Sequence, residues 1–143
     1  MGARSIIRVG MVVGLLLAGC REKEHQRPAP LVYEGKPLDY WMEQLKSPDA
    51  DTRVTACSAL RLMPGKPVAA VPALIEALKD KVPLVRSTAI AALAHVGPQA
   101  KDAVPALTAL LDDEEWSVRD VAKTALAIIE GNAPPEKPHH RHG

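Results

Sequence analysis

The sequence predicts an all-α fold, an α-solenoid of about three stacked helical hairpins. The first observation behind this is an ungapped internal repeat of 33 residues. Pro72-Ala73-Leu74 returns as Pro105-Ala106-Leu107, and residues 69–97 match residues 102–130 at thirteen of 29 positions. Self-similarity at a fixed period of this size marks a stacked repeat architecture. The second observation is that apolar residues within each copy recur at spacings of three and four, which places them on one face of a helix. The third is composition. Aromatic residues make up 3% of the chain and Phe is absent. Ala and Leu fill the apolar quota, which favours close-packed helices over sheets rich in β-branched and aromatic residues.

The chain begins with residues 1–19, which have the layout of a secretory leader. Arg4 and Arg8 form a basic start, Val9 to Leu17 an apolar run, and Ala18 and Gly19 a small-residue end. The run is shorter than the ~20 residues needed to span a bilayer. Leu17-Ala18-Gly19-Cys20 resembles the lipobox of bacterial lipoproteins. The resemblance implies a diacylglyceryl group on the Cys20 sulfur and cleavage before Cys20. Arg21, where an Asp would signal retention at the inner membrane, implies sorting to the outer membrane if there is one. Residues 20–36, with Pro28, Pro30 and many charges, read as the lipidated cysteine and a flexible tether. With Cys20 acylated, Cys57 has no disulfide partner and reads as a small buried hydrophobe.

Residues 37–131 hold the repeats, about 37–66, 67–99 and 100–131. Trp41, Leu74 and Leu107 share one column, and Leu45, Leu78 and Leu111 the next. Arg53, Arg86 and Arg119 form a third. Ala56, Ala89 and Ala122 follow, then Ala59, Ala92 and Ala125, then Leu60, Leu93 and Leu126, then Met63, Val96 and Ile129. Each copy therefore predicts two helices, the first over 38–46, 69–78 and 101–111, the second over 51–63, 84–96 and 116–130. Pro83 fits a first helical turn. Pro72 and Pro105 start or kink the first helices. Met63-Pro64-Gly65-Lys66-Pro67 and Gly97-Pro98 end one unit and aim the next.

These residues resemble the HEAT-repeat family, in a short subtype also seen in proteins related to bilin (phycobilisome) lyases. The motif that carries the resemblance is Asp-(x)4-Val-Arg followed by Ala-(x)2-Ala-Leu. It stands here as Asp80…Val85-Arg86…Ala89…Ala92-Leu93 and as Asp113…Val118-Arg119…Ala122…Ala125-Leu126. The first copy departs from it, with Ser47 and Thr52 in place of Asp and Val. That copy is either an N-terminal cap or a unit whose charge pairing shifts to Asp49 or Asp51. The resemblance implies an Asp–Arg ladder between turns of neighbouring repeats, made by Arg53, Asp80, Arg86, Asp113 and Arg119. It further implies that the second helices line a concave side. Positions off the apolar columns then face a partner: Thr55, Ser58 and Leu62, then Thr88, Ala91 and His95, then Val121, Thr124 and Ile128. Trp116, at the start of the last second helix, is expected to pack beneath the final repeat.

No catalytic constellation is legible. His95 is the single His of the repeats, and no motif couples it to Ser or Cys. A phosphate-cradling Gly loop, a CxxC pair and an HExxH are absent from the sequence, and no cofactor is implied. The acids 112–115 read as a solvated turn at a helix start. Residues 132–143 form a Pro- and His-rich tail expected to be disordered. His139, His140 and His142 are its weak metal candidates, because closing a site there costs ordering entropy. Formal charge is +1 for the whole chain and −1 once the leader's two arginines are removed. That leaves no basic excess to attract nucleic acid.

The expected function is a membrane-tethered adaptor or scaffold that binds an unknown protein or peptide outside the cytoplasm. It would sit on the outer side of the cytoplasmic membrane, or at the outer membrane facing the periplasm. Envelope metal binding through the tail is the alternative, and a bilin-lyase-like activity is a more distant one. The mature protein taken from membranes is expected to begin at Cys20 and to carry a diacylglycerol-sized excess in its intact mass. Cys20→Ala should abolish both, and an unmodified soluble product from the native sequence would remove the tether.

Overall fold

Each helical hairpin starts where a side chain or a proline fixes the backbone. The computed structural model describes residues 29–132. Asp49 caps α2 (Ala50–Leu62), its carboxylate accepting from the Thr52 N–H at 2.8 Å and the Thr52 hydroxyl at 2.6 Å. Pro83 opens α4 (Pro83–Val96), where its missing N–H would have had no helical partner. Pro72 and Pro105 stand second in α3 (Val71–Ala77) and α5 (Val104–Ala109). The first helix of the chain is α1 (Leu38–Gln44), and the last is α6 (Trp116–Ile129).

The first helices of the second and third repeats are shorter than their apolar pattern predicts. Backbone ahead of each proline runs as 3-10 helix, over Val68–Ala70 and Gly97–Ala103. A proline ring clashes with the carbonyl four residues back and has no N–H to donate to it, so the regular helix begins only at Val71 and Val104. A further 3-10 turn, Leu110–Asp112, ends the third repeat's first helix.

Helices α2, α4 and α6 form one row, with α4 packed between the other two. Helices α1, α3 and α5 each pack on the second helix of their own hairpin. The core lies between the layers. Leu60, Leu74, Leu93, Leu107 and Ile129 are fully buried, as are the close-approach residues Ala56, Ala89, Ala92, Ala122 and Ala125. The chain is thus an α-solenoid of three helical hairpins.

Both ends of the stack are finished. At the amino end, residues predicted as the last part of the tether fold into a hairpin. β1 (Val32–Tyr33) pairs antiparallel with β2 (Lys36–Pro37) across a two-residue turn, Glu34-Gly35. Both turn residues have positive φ, 50° and 71°, the turn whose twist matches paired strands. The hairpin is tied to the first repeat by the Leu38 N–H donating to the Leu31 carbonyl at 3.0 Å and the Trp41 Nε1–H to the Tyr33 carbonyl at 3.3 Å. Tyr40 meets Trp41 edge-on with centroids 5.1 Å apart. Leu31 lies against Gly65, where a Cβ would stand 3.2 Å from it, and Gly65 also has φ +85°. A side chain at position 65 is therefore opposed by both space and backbone.

At the carboxyl end the device is polarity. Cys57 and Ile90 are fully buried where α2 meets α4 and where α4 meets α6. The equivalent residue of α6 is Lys123, which is exposed. Asp120 likewise stands in the column of Val54 and Ser87, and Thr108 in that of Met42 and Ile75. A terminal repeat needs such a polar outer face to meet water. Trp116, expected beneath the final repeat, is 68% exposed. Its column is filled by Ala50 and Pro83, neither of them a core residue, so the fold offers an indole no cavity there. The expected tail and leader lie outside the described residues. Among the described residues no helix is long and apolar enough to cross a membrane.

Leu93 is fully buried in the central repeat. Leu93→Ala is expected to lower the unfolding free energy by about 2–5 kcal/mol, measured by urea denaturation. An unchanged midpoint would contradict this placement of the column.

Candidate partner-binding groove

The regularly spaced charges are joined across the stack. Arg53 grips Asp80 of the next repeat with two bonds, Nε to Oδ2 at 2.6 Å and Nη2 to Oδ1 at 3.0 Å. Its Nη1 donates back to the carbonyls of Ser47 and Pro48 in its own repeat. Arg86 repeats the pattern with Asp113, Nη2 to Oδ1 at 2.7 Å, and Nη1 to the Asp80 carbonyl. Each acid also pins its own turn, Asp80 Oδ1 accepting from the Val82 N–H and Asp113 Oδ1 from the Glu115 N–H, both at 2.9 Å. The second rung has one carboxylate bond where the first has two, and the Arg86 Nε is buried without a partner. Arg119 holds the carbonyls of Asp113 and Glu114. Among the described residues it meets no carboxylate. Asp49 and Asp51 are not ladder acids. Asp49 is a helix cap, and Ser47 accepts the Asp49 N–H.

Burial opposes ionisation of Asp80 and Asp113. The Arg53 guanidinium with the Val82 N–H, and the Arg86 guanidinium with the Glu115 N–H, more than offset it, so both carboxyls sit below their ordinary value. These acids stay charged and engaged, which unfits them for proton transfer. Burial likewise pushes the Cys57 thiol up to about 12, so it stays protonated and is no nucleophile. His95 bonds the Gly65 carbonyl through Nε2 at 3.1 Å. A carbonyl only accepts, so Nε2 carries the proton. Among the described residues no group of three or more His, Cys, Asp or Glu stands together to hold a metal. Cys20, His139, His140 and His142 lie outside the described residues.

The candidate partner residues divide into two sets. Leu62, Ala91, His95, Val121, Thr124 and Ile128 line one open groove of about 510 Å³ across α2, α4 and α6. Thr55, Ser58 and Thr88 lie outside it, one or two turns nearer the amino ends of α2 and α4. The threonine hydroxyls at 55, 88 and 124 all donate to the carbonyl four residues back. The groove's other lining residues are Arg61, Ala94 and Ala125. The repeat register exposes two of them: Arg61, Ala94 and Ala127 share a column flanking that of Leu62, His95 and Ile128. Ala125 belongs to the core column of Ala59 and Ala92 and lines the groove from it. Small residues on the floor and Leu62, Val121 and Ile128 on the walls leave space for bulky apolar side chains.

A row of helical hairpins, joined by Arg–Asp rungs and carrying a groove on its second helices, defines a helical repeat protein. A family model described as HEAT repeats matches residues 38–127. The chain belongs to the HEAT-repeat family. Comparison with curated proteins finds no match. The family match supports a helical repeat scaffold of the kind that commonly mediates protein–protein interaction.

The two rungs differ in a measurable way. Double-mutant cycles are expected to give a larger coupling energy for Arg53 with Asp80 than for Arg86 with Asp113. Both acids have carboxyls held below the unfolded value. Their stabilisation is therefore present above the ordinary carboxylate range, near pH 4, and is lost as pH falls through their folded values. Asp80→Asn should lower stability at neutral pH and flatten the acid limb of the stability curve. An acid limb as steep as the native one would show that the rung contributes nothing to it.

Proposed function

We propose that this protein is a lipid-anchored adaptor of the cell envelope that holds a protein partner in the groove across α2, α4 and α6. The observation that carries this reading is the groove itself. Six non-core positions of the repeat register meet there in an open groove, four of them apolar, on a scaffold whose Arg53, Asp80, Arg86 and Asp113 charges are consumed by its own joints. The anchoring part rests on the leader and on Leu17-Ala18-Gly19-Cys20. Two or more acyl chains give stable membrane attachment, each buried CH₂ contributing about 0.8 kcal/mol.

The protein works by holding rather than by chemistry. The Cys57 thiol stays protonated, the repeat-domain histidine His95 is tied to a carbonyl, and the buried acids Asp80 and Asp113 are paired. A tether confines the module to the membrane surface and raises its effective concentration towards partners on the same membrane. The adaptor thus gains avidity without a large interface.

Capture from solubilised membranes tests this. The native chain is expected to retain a specific partner. Ala91→Trp, which fills the groove, and Leu62→Ser, which removes an exposed wall, should each release it with the melting temperature preserved. Cys20→Ala should leave the groove competent but shift the complex out of the membrane fraction. A partner retained by both groove variants would move the binding surface elsewhere.

A further inference from the structure

The groove has a charge that the fold does not need. Arg61 stands in a column that Ala94 and Ala127 fill in the other two repeats, so stacking requires only a small residue there. Among the described residues Arg61 has no ion-pair partner, and no Asp or Glu lines the groove. Lys46 and Lys79 are paired locally with Glu43 and Glu76, and the other exposed lysines without an ion pair, Lys36, Lys66, Lys81, Lys101 and Lys123, are not among the groove's lining residues. Arg61 also belongs to the last turn of α2, where a cation meets the negative pole of the helix. That accounts for a cation in the turn but not for its position on the rim of an apolar slot. His95, beside it in the lining, is held in orientation by the Gly65 carbonyl.

We propose that the groove selects an acidic-apolar peptide segment: one or two bulky apolar side chains seated over Ala91 and Ala125, with a neighbouring Asp or Glu carboxylate paired to the Arg61 guanidinium. This deepens the adaptor reading and rests on it. The groove is open along its length, whereas sites for small molecules enclose most of their ligand. A segment of another protein, presenting side chains at helical or alternate spacing, fits an open slot of this volume. The apolar anchors supply most of the binding energy, and the carboxylate supplies orientation and choice, since an arginine fork matches a carboxylate with two parallel bonds. A basic segment would instead leave Arg61 opposed by like charge and is rejected.

The test selects phage-displayed random short peptides on the full mature chain and measures their affinity by fluorescence anisotropy. Selected peptides are expected to place Asp or Glu next to Leu, Phe or Trp. Arg61→Glu should weaken them about tenfold or more, about 1.4 kcal/mol, and replacing the peptide acid by Lys should restore binding to that variant. Arg61 is exposed, so the variant should keep its fold, with only the small loss of stability expected of an anion at the carboxyl end of a helix, and Arg61→Gln, which adds no anion, should weaken the peptides in the same direction. Peptides lost on Ala91→Trp but indifferent to Arg61→Glu would overturn the charge inference and keep the groove. Peptides indifferent to both would overturn the groove reading as well. Failure to select any peptide overturns the proposal, and Arg61-dependent binding of dodecanoate in its place would assign the groove to a fatty acyl carboxylate.

Discussion

The constraint on which the stack depends is that each joint places an arginine where water is nearly excluded. Arg53 and Arg86 are 9% and 7% exposed. A guanidinium in such a place is costly unless almost every N–H finds an acceptor. The solution is cooperative across three pieces of chain. The arginine of one repeat takes carbonyls from its own turn and a carboxylate from the next repeat, and that carboxylate closes the next turn. Removing any member leaves the others buried and unpaired. The turn geometry, the entry angle of the following second helix and the spacing between repeats are therefore set together. The alanine columns allow helices to approach, but the rung decides where along each other they stop.

That dependence explains why so much of the architecture was legible. A residue used in every joint must recur at the repeat period, so Arg53, Arg86 and Arg119 stand out in one chain without any comparison. Prolines are legible for the same reason: the ring forbids a specific bond, and the chain obeys at Pro72, Pro83 and Pro105. What escaped the sequence lacks a period. The hairpin over 32–37 has two-residue strands, too short to alternate, and its Glu-Gly turn is a weaker signal than Asn-Gly. The contact of His95 with the Gly65 carbonyl joins residues thirty positions apart and leaves no mark on either. The 3-10 stretches carry the same residues as an α-helix and differ only in what a proline downstream permits.

The groove falls between these cases. Its walls were found because non-core columns on second helices must face outward, and Leu62, His95 and Ile128 obey that rule. Arg61 and Ala94 were missed although their column sits beside that one, because a column holding one arginine and two alanines has no common character. Ala125 was hidden by having a second use, since one face of a small residue can be core while its edge floors a slot. Trp116 taught the opposite lesson. Its size suggested burial, while Ala50 and Pro83 in its column marked a surface position.

The two ends of the stack differ in kind from its middle. The first repeat offers an arginine forward and no ladder acid backward, and the last offers a polar helix where its predecessors offer Cys57 and Ile90. Among the described residues, only the central repeat has both halves of the joint engaged with carboxylate or guanidinium, Asp80 facing back and Arg86 facing forward. It is a complete link, male and female at once, whereas each neighbour is a terminus. A chain built this way changes length by duplicating or deleting its middle unit, with both termini untouched. The groove would lengthen or shorten in the same whole steps. The joint that holds the present protein together is thus also the point at which its descendants can grow.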